Sequence, residues 1–219
     1  MEGTKEKFFQ AVISNQLDEV KQCIKRGLNI NIQDQDEETA LIIACRLGHT
    51  EMVQFLLENG ADVHLLDEYN LSPLVNAIEP GHIEIVKLLI GHGVEIDGVL
   101  MYAVWGRHIK IAKLLIDSGV DVNIDGRSVF IGAALSADLE EMKLLLDFNI
   151  DKDVQDPWGN TALIMASGKG HVEVVKLLIG LNADSTLTND KGLTALAYAK
   201  RKRQDKVIDL LEQYENSRS

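Results

Sequence analysis

Two apolar phrases alternate along this chain, and both have the spacing of helices. The first opens on a hydroxyl and runs Thr39-Ala40-Leu41-Ile42-Ile43-Ala44-Cys45, Ser72-Pro73-Leu74-Val75-Asn76-Ala77 and Thr161-Ala162-Leu163-Ile164-Met165-Ala166. Thr or Ser there suits a helix N-cap, and Pro73 falls in the first turn, where a helix tolerates proline. The second phrase opens on Gly-His and ends in paired leucines, as in Gly48-His49 through Leu56-Leu57, Gly81-His82 through Leu88-Leu89 and Gly170-His171 through Leu177-Leu178. Its apolar residues follow the 3.6-residue period of a packed helix. It stops at Gly27, Gly60, Gly93 or Gly119, or at Asn149 or Asn182, and these two residue types most readily take the left-handed conformation that ends a helix. From His49 to His82 is 33 residues. A period of this size predicts a stacked array of helix pairs.

In these motifs the chain resembles the ankyrin-repeat family. Thr-Ala-Leu at 39–41, 161–163 and 194–196, the Gly-His pairs, Gly60-Ala61-Asp62-Val63-His64 and Gly119-Val120-Asp121-Val122-Asn123 carry the resemblance, which spans nearly the whole chain. It implies an all-α solenoid with short β-hairpin fingers along one edge, here a single domain over 1–219. Aligned on the second helix, seven units follow: 4–34, 35–67, 68–97, 98–123, 124–156, 157–190 and 191–215. The first and last depart most from the pattern, as capping units that face water must.

Inside the array the beat fails twice. His82 to His108 is seven residues short of a full unit, with the loss between Asp97 and Gly98, and three more are missing before Ser128. The third finger is therefore expected to be absent and the fourth stunted, leaving a gap in the row.

The resemblance also implies a recognition surface: the fingers and the residues that follow the small pair of each first helix, on the concave side. Carried over by position, the candidates are Glu38, Arg46 and Leu47; then Tyr69, Leu71 and Glu79; then Trp105, with Tyr102 and Arg107 beside it. Further along they are Leu135, then Trp158, Asn160 and Lys169. Tryptophan, tyrosine and arginine dominate interface hot spots, and nothing in the repeat demands Trp at 105 or 158. A partner element entering the gap onto Trp105, flanked by Tyr69 and Trp158, is one expectation. The other is that the shortened loops collapse and Trp105 packs as core.

Composition narrows the partner. A net charge of −12 argues against nucleic acid, which needs clustered cations, and against anionic membrane surfaces. A protein with a basic or mixed surface fits, and the chain is expected to act as a monomer. Cys23 and Cys45 fall at apolar positions and read as buried free thiols. Met1 to Lys7 leads into no apolar signal stretch, which points to the cytoplasm. Lys200-Arg201-Lys202-Arg203 reads as a solvated face or as a nuclear-import or acidic-partner contact, and a secreted effector stays open.

No cofactor or catalytic constellation is expected. Stacked helices lie roughly 8–10 Å apart, too far for the repeat histidines to share a metal, so these should bond to backbone. Glu140-Glu141 are consecutive on a helix and do not face each other, so they read as a solvated face. The acidic turn residues Asp34, Asp36, Glu37, Glu38, Asp67 and Glu68 lack calcium-loop spacing. Two alternatives to protein recognition are small-molecule sensing in the gap near Trp105 and, least favoured, an enzyme.

Overall fold

The computed structural model describes residues 2–218; Met1 and Ser219 lie outside the described residues. The helices come in seven pairs. They are α1 (Glu2–Ile13) with α2 (Leu17–Lys25), α3 (Ala40–Leu47) with α4 (Thr50–Glu58), α5 (Pro73–Ile78) with α6 (Ile83–Gly91), and α7 (Leu100–Trp105) with α8 (Ile109–Asp117). The later pairs are α9 (Val122–Ser136) with α10 (Leu139–Asp147), α11 (Ala162–Lys169) with α12 (Val172–Gly180), and α13 (Ala195–Lys202) with α14 (Asp205–Arg218). The fold class is all-α, and the contacts divide the chain into two compact units, Met1–Val120 and Asp121–Ser219.

In the first unit α3 packs between α1 and α5, and α4 packs on α6. α3 is buried along Ala40–Cys45, whereas α4 buries one face through Met52, Val53 and Leu56. In the second unit α11 lies between α9 and α13, and α12 packs on α14.

The hydroxyl caps are formed. Thr39 Oγ1 accepts from Ile42 N at 3.2 Å, Ser72 Oγ from Val75 N at 3.3 Å, and Thr161 Oγ1 from Ile164 N at 3.2 Å. The helix stops are left-handed throughout, with φ from 58° at Asn182 to 111° at Gly119.

The repeat histidines bind the preceding layer. The Nε2 of His49 meets the carbonyl of Ile13 at 3.2 Å, that of His82 the carbonyl of Arg46 at 3.3 Å, and that of His108 the carbonyl of Glu79 at 2.9 Å. His171 does the same to Leu135 at 3.0 Å. Gly48 completes the arrangement: a Cβ there would come 2.6 Å from the His82 ring, and φ is +79°. Gln204 replaces the histidine in the last pair, its Nε2 3.5 Å from the Gly168 carbonyl.

Two expectations change in detail, while the absence of the third finger stands. The fingers are hydrogen-bonded turns rather than strand ladders: among the described residues there is one isolated antiparallel bridge, Gln33 to Thr39. Where the third finger would stand, the chain turns directly at Asp97-Gly98 into α7. The fourth finger is not stunted but replaced, because α9 begins at Val122 and runs 15 residues. Asp121 caps it, accepting from Asn123 N at 2.8 Å, and Val122, Gly126, Val129 and Phe130 give it a buried stripe. With three residues lost, helix takes the place of the turn. Gly126 lets this extra length sit close to Leu145 and Ile150.

Glu141 is half-buried, so only Glu140, paired with Lys143 at 3.0 Å, belongs to a solvated face. Both thiols are free, but Cys23 is half-buried while Cys45 is wholly enclosed. Burial pushes the Cys45 thiol far above its ordinary range, so it stays protonated and unreactive. An aromatic disulfide reagent at pH 8 should therefore label Cys23 in the native chain and reach Cys45 only on unfolding; simultaneous labelling of both would contradict the packing. Because the folded thiol value is raised, its contribution to stability is full below the ordinary thiol range and falls as pH rises through it.

Candidate functional site

Each unit carries a pair of fingers built on one device. An Asp or Asn opens the turn, and its Oδ1 accepts two backbone N–H groups. In the first unit Asp34 accepts from Asp36 N at 3.0 Å and Glu38 N at 2.9 Å, and Asp67 accepts from Tyr69 N at 3.0 Å and Leu71 N at 2.9 Å. The second oxygen of Asp67 takes the Asn76 amide at 3.0 Å. Glu68 N donates to the Asp36 carbonyl at 3.2 Å, and the Gln33 amide bridges the carbonyls of Glu37 and Leu66. The two fingers are thus joined by backbone and side chain. Of the six acidic turn residues, Asp34 and Asp67 brace the turns through their side chains.

Between this pair and the first helices lies a cleft of about 350 Å³, lined by Asp36, Glu38, Arg46, Asp67, Glu68, Tyr69, Leu71, Asn76 and Glu79. Five of these nine, Glu38, Arg46, Tyr69, Leu71 and Glu79, are candidates that repeat position picks out. Its one guanidinium is engaged: Arg46 Nε and Nη2 reach the two Glu38 carboxylate oxygens at 3.0 and 2.8 Å. Such a bidentate pair fixes both side chains, leaving Asp36, Glu68 and Glu79 as uncompensated charge beside the braced Asp67. The Tyr69 ring is 72% exposed above them. Its hydroxyl is held above the usual tyrosine range, first by the Glu68 charge, with smaller contributions from Asp36 and Asp67. At neutral pH it is a neutral donor, hydrogen-bonded to Glu68.

The second unit repeats the device with other chemistry. Asp156 Oδ1 accepts from Trp158 N at 2.9 Å and Asn160 N at 2.8 Å, and Asn189 Oδ1 accepts from Lys191 N at 3.0 Å and Leu193 N at 3.1 Å. Asp190 N donates to the Trp158 carbonyl at 3.0 Å. This packing is tight: a Cβ on Gly159 would stand 3.0 Å from Asn189 Cα. The cleft here, about 380 Å³, is lined by Trp158, Asn160, Met165, Asn189, Asp190, Lys191, Leu193, Tyr198, Arg201 and Lys202.

Trp105 does not fill a hole. It is 57% exposed at the end of α7, its ring edge-on to Tyr102 at 6.2 Å between centroids. The expectation of a core residue fails: the last residue of α7 stands largely in solvent, with Tyr102 as its ring partner. Leu47, Arg107, Leu135 and Lys169 line neither finger cleft. Leu47 and Leu135 are part-exposed at helix ends, and Arg107 borders a separate apolar depression with Ile83 and Ile109. The candidate set lacks Asp36, Asp67, Glu68 and Asn76 of the first cleft and eight of the ten lining residues of the second. The run Lys200–Arg203 was the available signal for the latter. Among the described residues no three side chains of metal-binding type converge.

A family model described as "Ankyrin repeats (3 copies)" matches residues 8–99 and 130–218, and one described as "Ankyrin repeat" matches 97–127. The interval between the two longer matches, residues 100–129, holds most of the unit 98–123 and only the start of the unit 124–156. A solved ankyrin-repeat domain of Bcl-3, described as a unique member of the IkappaB protein family, is 26% identical with a TM-score of 0.79, over 94% of this chain and 97% of that one. The human ASB11 ankyrin-repeat domain is 25% identical with a TM-score of 0.68, over 93% and 96%. Comparison with curated proteins returned no match.

Proposed function

Because the chain belongs to the ankyrin-repeat family, whose repeats generally mediate protein–protein interaction, we propose that it is a non-catalytic recognition module that binds a basic or mixed protein segment through its finger surface. Scaffold, adaptor and inhibitor are the roles open to such a module. One observation carries this: five residues selected by repeat position meet in a single acidic cleft under an exposed tyrosine. A lysine or arginine of a partner would meet the carboxylates there while its stem packs on the Tyr69 ring. Trp105, with Tyr102 behind it, offers a second anchor on the same unit. We take the working form to be a monomer in the cytoplasm. No helix among the described residues is long and apolar enough to cross a membrane.

Arrayed peptides rich in Lys and Arg, probed with the full chain and with a Tyr69→Ala/Leu71→Ala variant, test this. The wild type is expected to select cationic peptides over acidic ones. Truncating the exposed Tyr69 and the half-buried Leu71 should cost about 2 kcal/mol, the scale of an interface hot spot, with melting little changed. Added salt should weaken binding, since exposed charges are screened. Selection of the same peptides with equal strength by both proteins would remove this cleft as the site.

A further inference from the structure

We propose that the cleft of the second unit binds an acidic peptide segment, one in which a carboxylate stands beside a bulky apolar residue. Its charge is opposite to that of the chain: Lys191, Arg201 and Lys202 face a single carboxylate, Asp190, in a protein of net charge −12. The cations are not all consumed internally. Lys200 is engaged with Glu212 at 2.8 Å, but Arg201 makes no ion pair with another described residue. A planar guanidinium left open toward a cleft is the group that best grips a carboxylate, through two parallel N–H donors.

The walls supply the apolar half. Trp158 is 67% exposed on a turn held by Asp156 and by the Asp190 N–H, so little ordering remains to be done on binding. Tyr198 lies against Gly168, where a Cβ would collide with its ring; absence of a side chain at 168 sets the ring's position. Lys202 Nζ sits 5.8 Å from the Tyr198 ring centroid, a cation–π contact that holds its charge at the rim. Leu193 and Met165 complete the lining. The amides are satisfied internally, Asn189 donating to the Asn160 oxygen at 2.9 Å and Asn160 to Asp156 Oδ2 at 3.0 Å. What remains to contact a ligand is cations and rings.

That combination favours a peptide over other polyanions. A nucleic-acid strand is held by a track of cations along its backbone, whereas three cations in one cleft match a segment with one or two carboxylates. An anionic membrane would meet the repulsion of the remaining acidic surface. The site differs in sign from the cleft of the first unit and does not depend on it.

Fluorescence polarisation with the full chain and a labelled peptide of Glu, Asp and Leu tests the site, alongside its Gln/Asn counterpart. Expected is at least tenfold tighter binding of the acidic peptide. Arg201→Gln with Lys202→Gln, both at exposed positions, should abolish that preference, Trp158→Ala should weaken both peptides, and Tyr69→Ala should change neither. Three outcomes would overturn the proposal: equal binding of acidic and amide peptides, undiminished preference in the Arg201/Lys202 variant, or stronger competition by a single-stranded oligonucleotide or phosphatidylserine vesicles than by the unlabelled peptide.

Discussion

Phe130→Ala is expected to lower the stability of the second unit by about 3–5 kcal/mol, the cost of emptying a core aromatic site. Phe130 has no exposed surface, and its neighbours Val129, Ile131, Ala133 and Ala134 are buried too. Walls packed on this scale leave little freedom for the emptied site to collapse. Urea unfolding followed by fluorescence of a chain whose only tryptophan is Trp158, with Trp105→Phe, reads this unit directly. Ile124→Ala is the matched control: that side chain is 63% exposed on the same helix and should cost no more than about 0.5 kcal/mol. If the two variants unfold at the same urea concentration, the long form of α9 is wrong.

Asp67→Ala should cost about 2–4 kcal/mol, because it strands three donors at once, two in the finger and one on a buried amide. Asp67 is 5% exposed and Asn76 is 4% exposed, so water does not readily replace the carboxylate. Asp67→Asn should be milder. The corresponding finger of the second unit already opens on Asn189, whose amide oxygen accepts both turn N–H groups. What asparagine cannot supply at 67 is the second oxygen that receives the Asn76 amide. Thermal unfolding of the three proteins should rank them wild type, asparagine, alanine. Equal melting of the asparagine and alanine variants would mean that the turn bonds contribute nothing.

The repeat made much of this fold readable, and for a physical reason. Caps, stops and inter-layer histidines each need one conformational or bonding ability that few residue types have, so their recurrence marks a position clearly. α9 escaped because a three-residue loss was read as a shorter loop. Yet Val122, Gly126, Val129 and Phe130 have helical spacing, and Asp121 is a good cap. Cys23 and Glu141 show another limit: an apolar or polar position in a repeat says which way a side chain points, not how much of it neighbouring layers cover. The first cleft was largely legible, since finger position selects its lining. The second was not, because Tyr198, Arg201 and Lys202 come from the face of α13, where the pattern assigns solvent.

The His108 bond to Glu79 spans 29 positions along the chain, where those of His49, His82 and His171 each span 36. The shortfall is the seven residues of the lost finger, yet the bond closes at 2.9 Å. Each histidine thus clasps the layer before it without regard to how the chain travelled between them. Stack and connection are separable parts: a finger can be deleted, or grafted in at Asp97-Gly98, as an attachment to a spine whose clasps stay shut. In such a molecule new binding specificity can arise by insertion and loss in the connections, with the spine left unchanged.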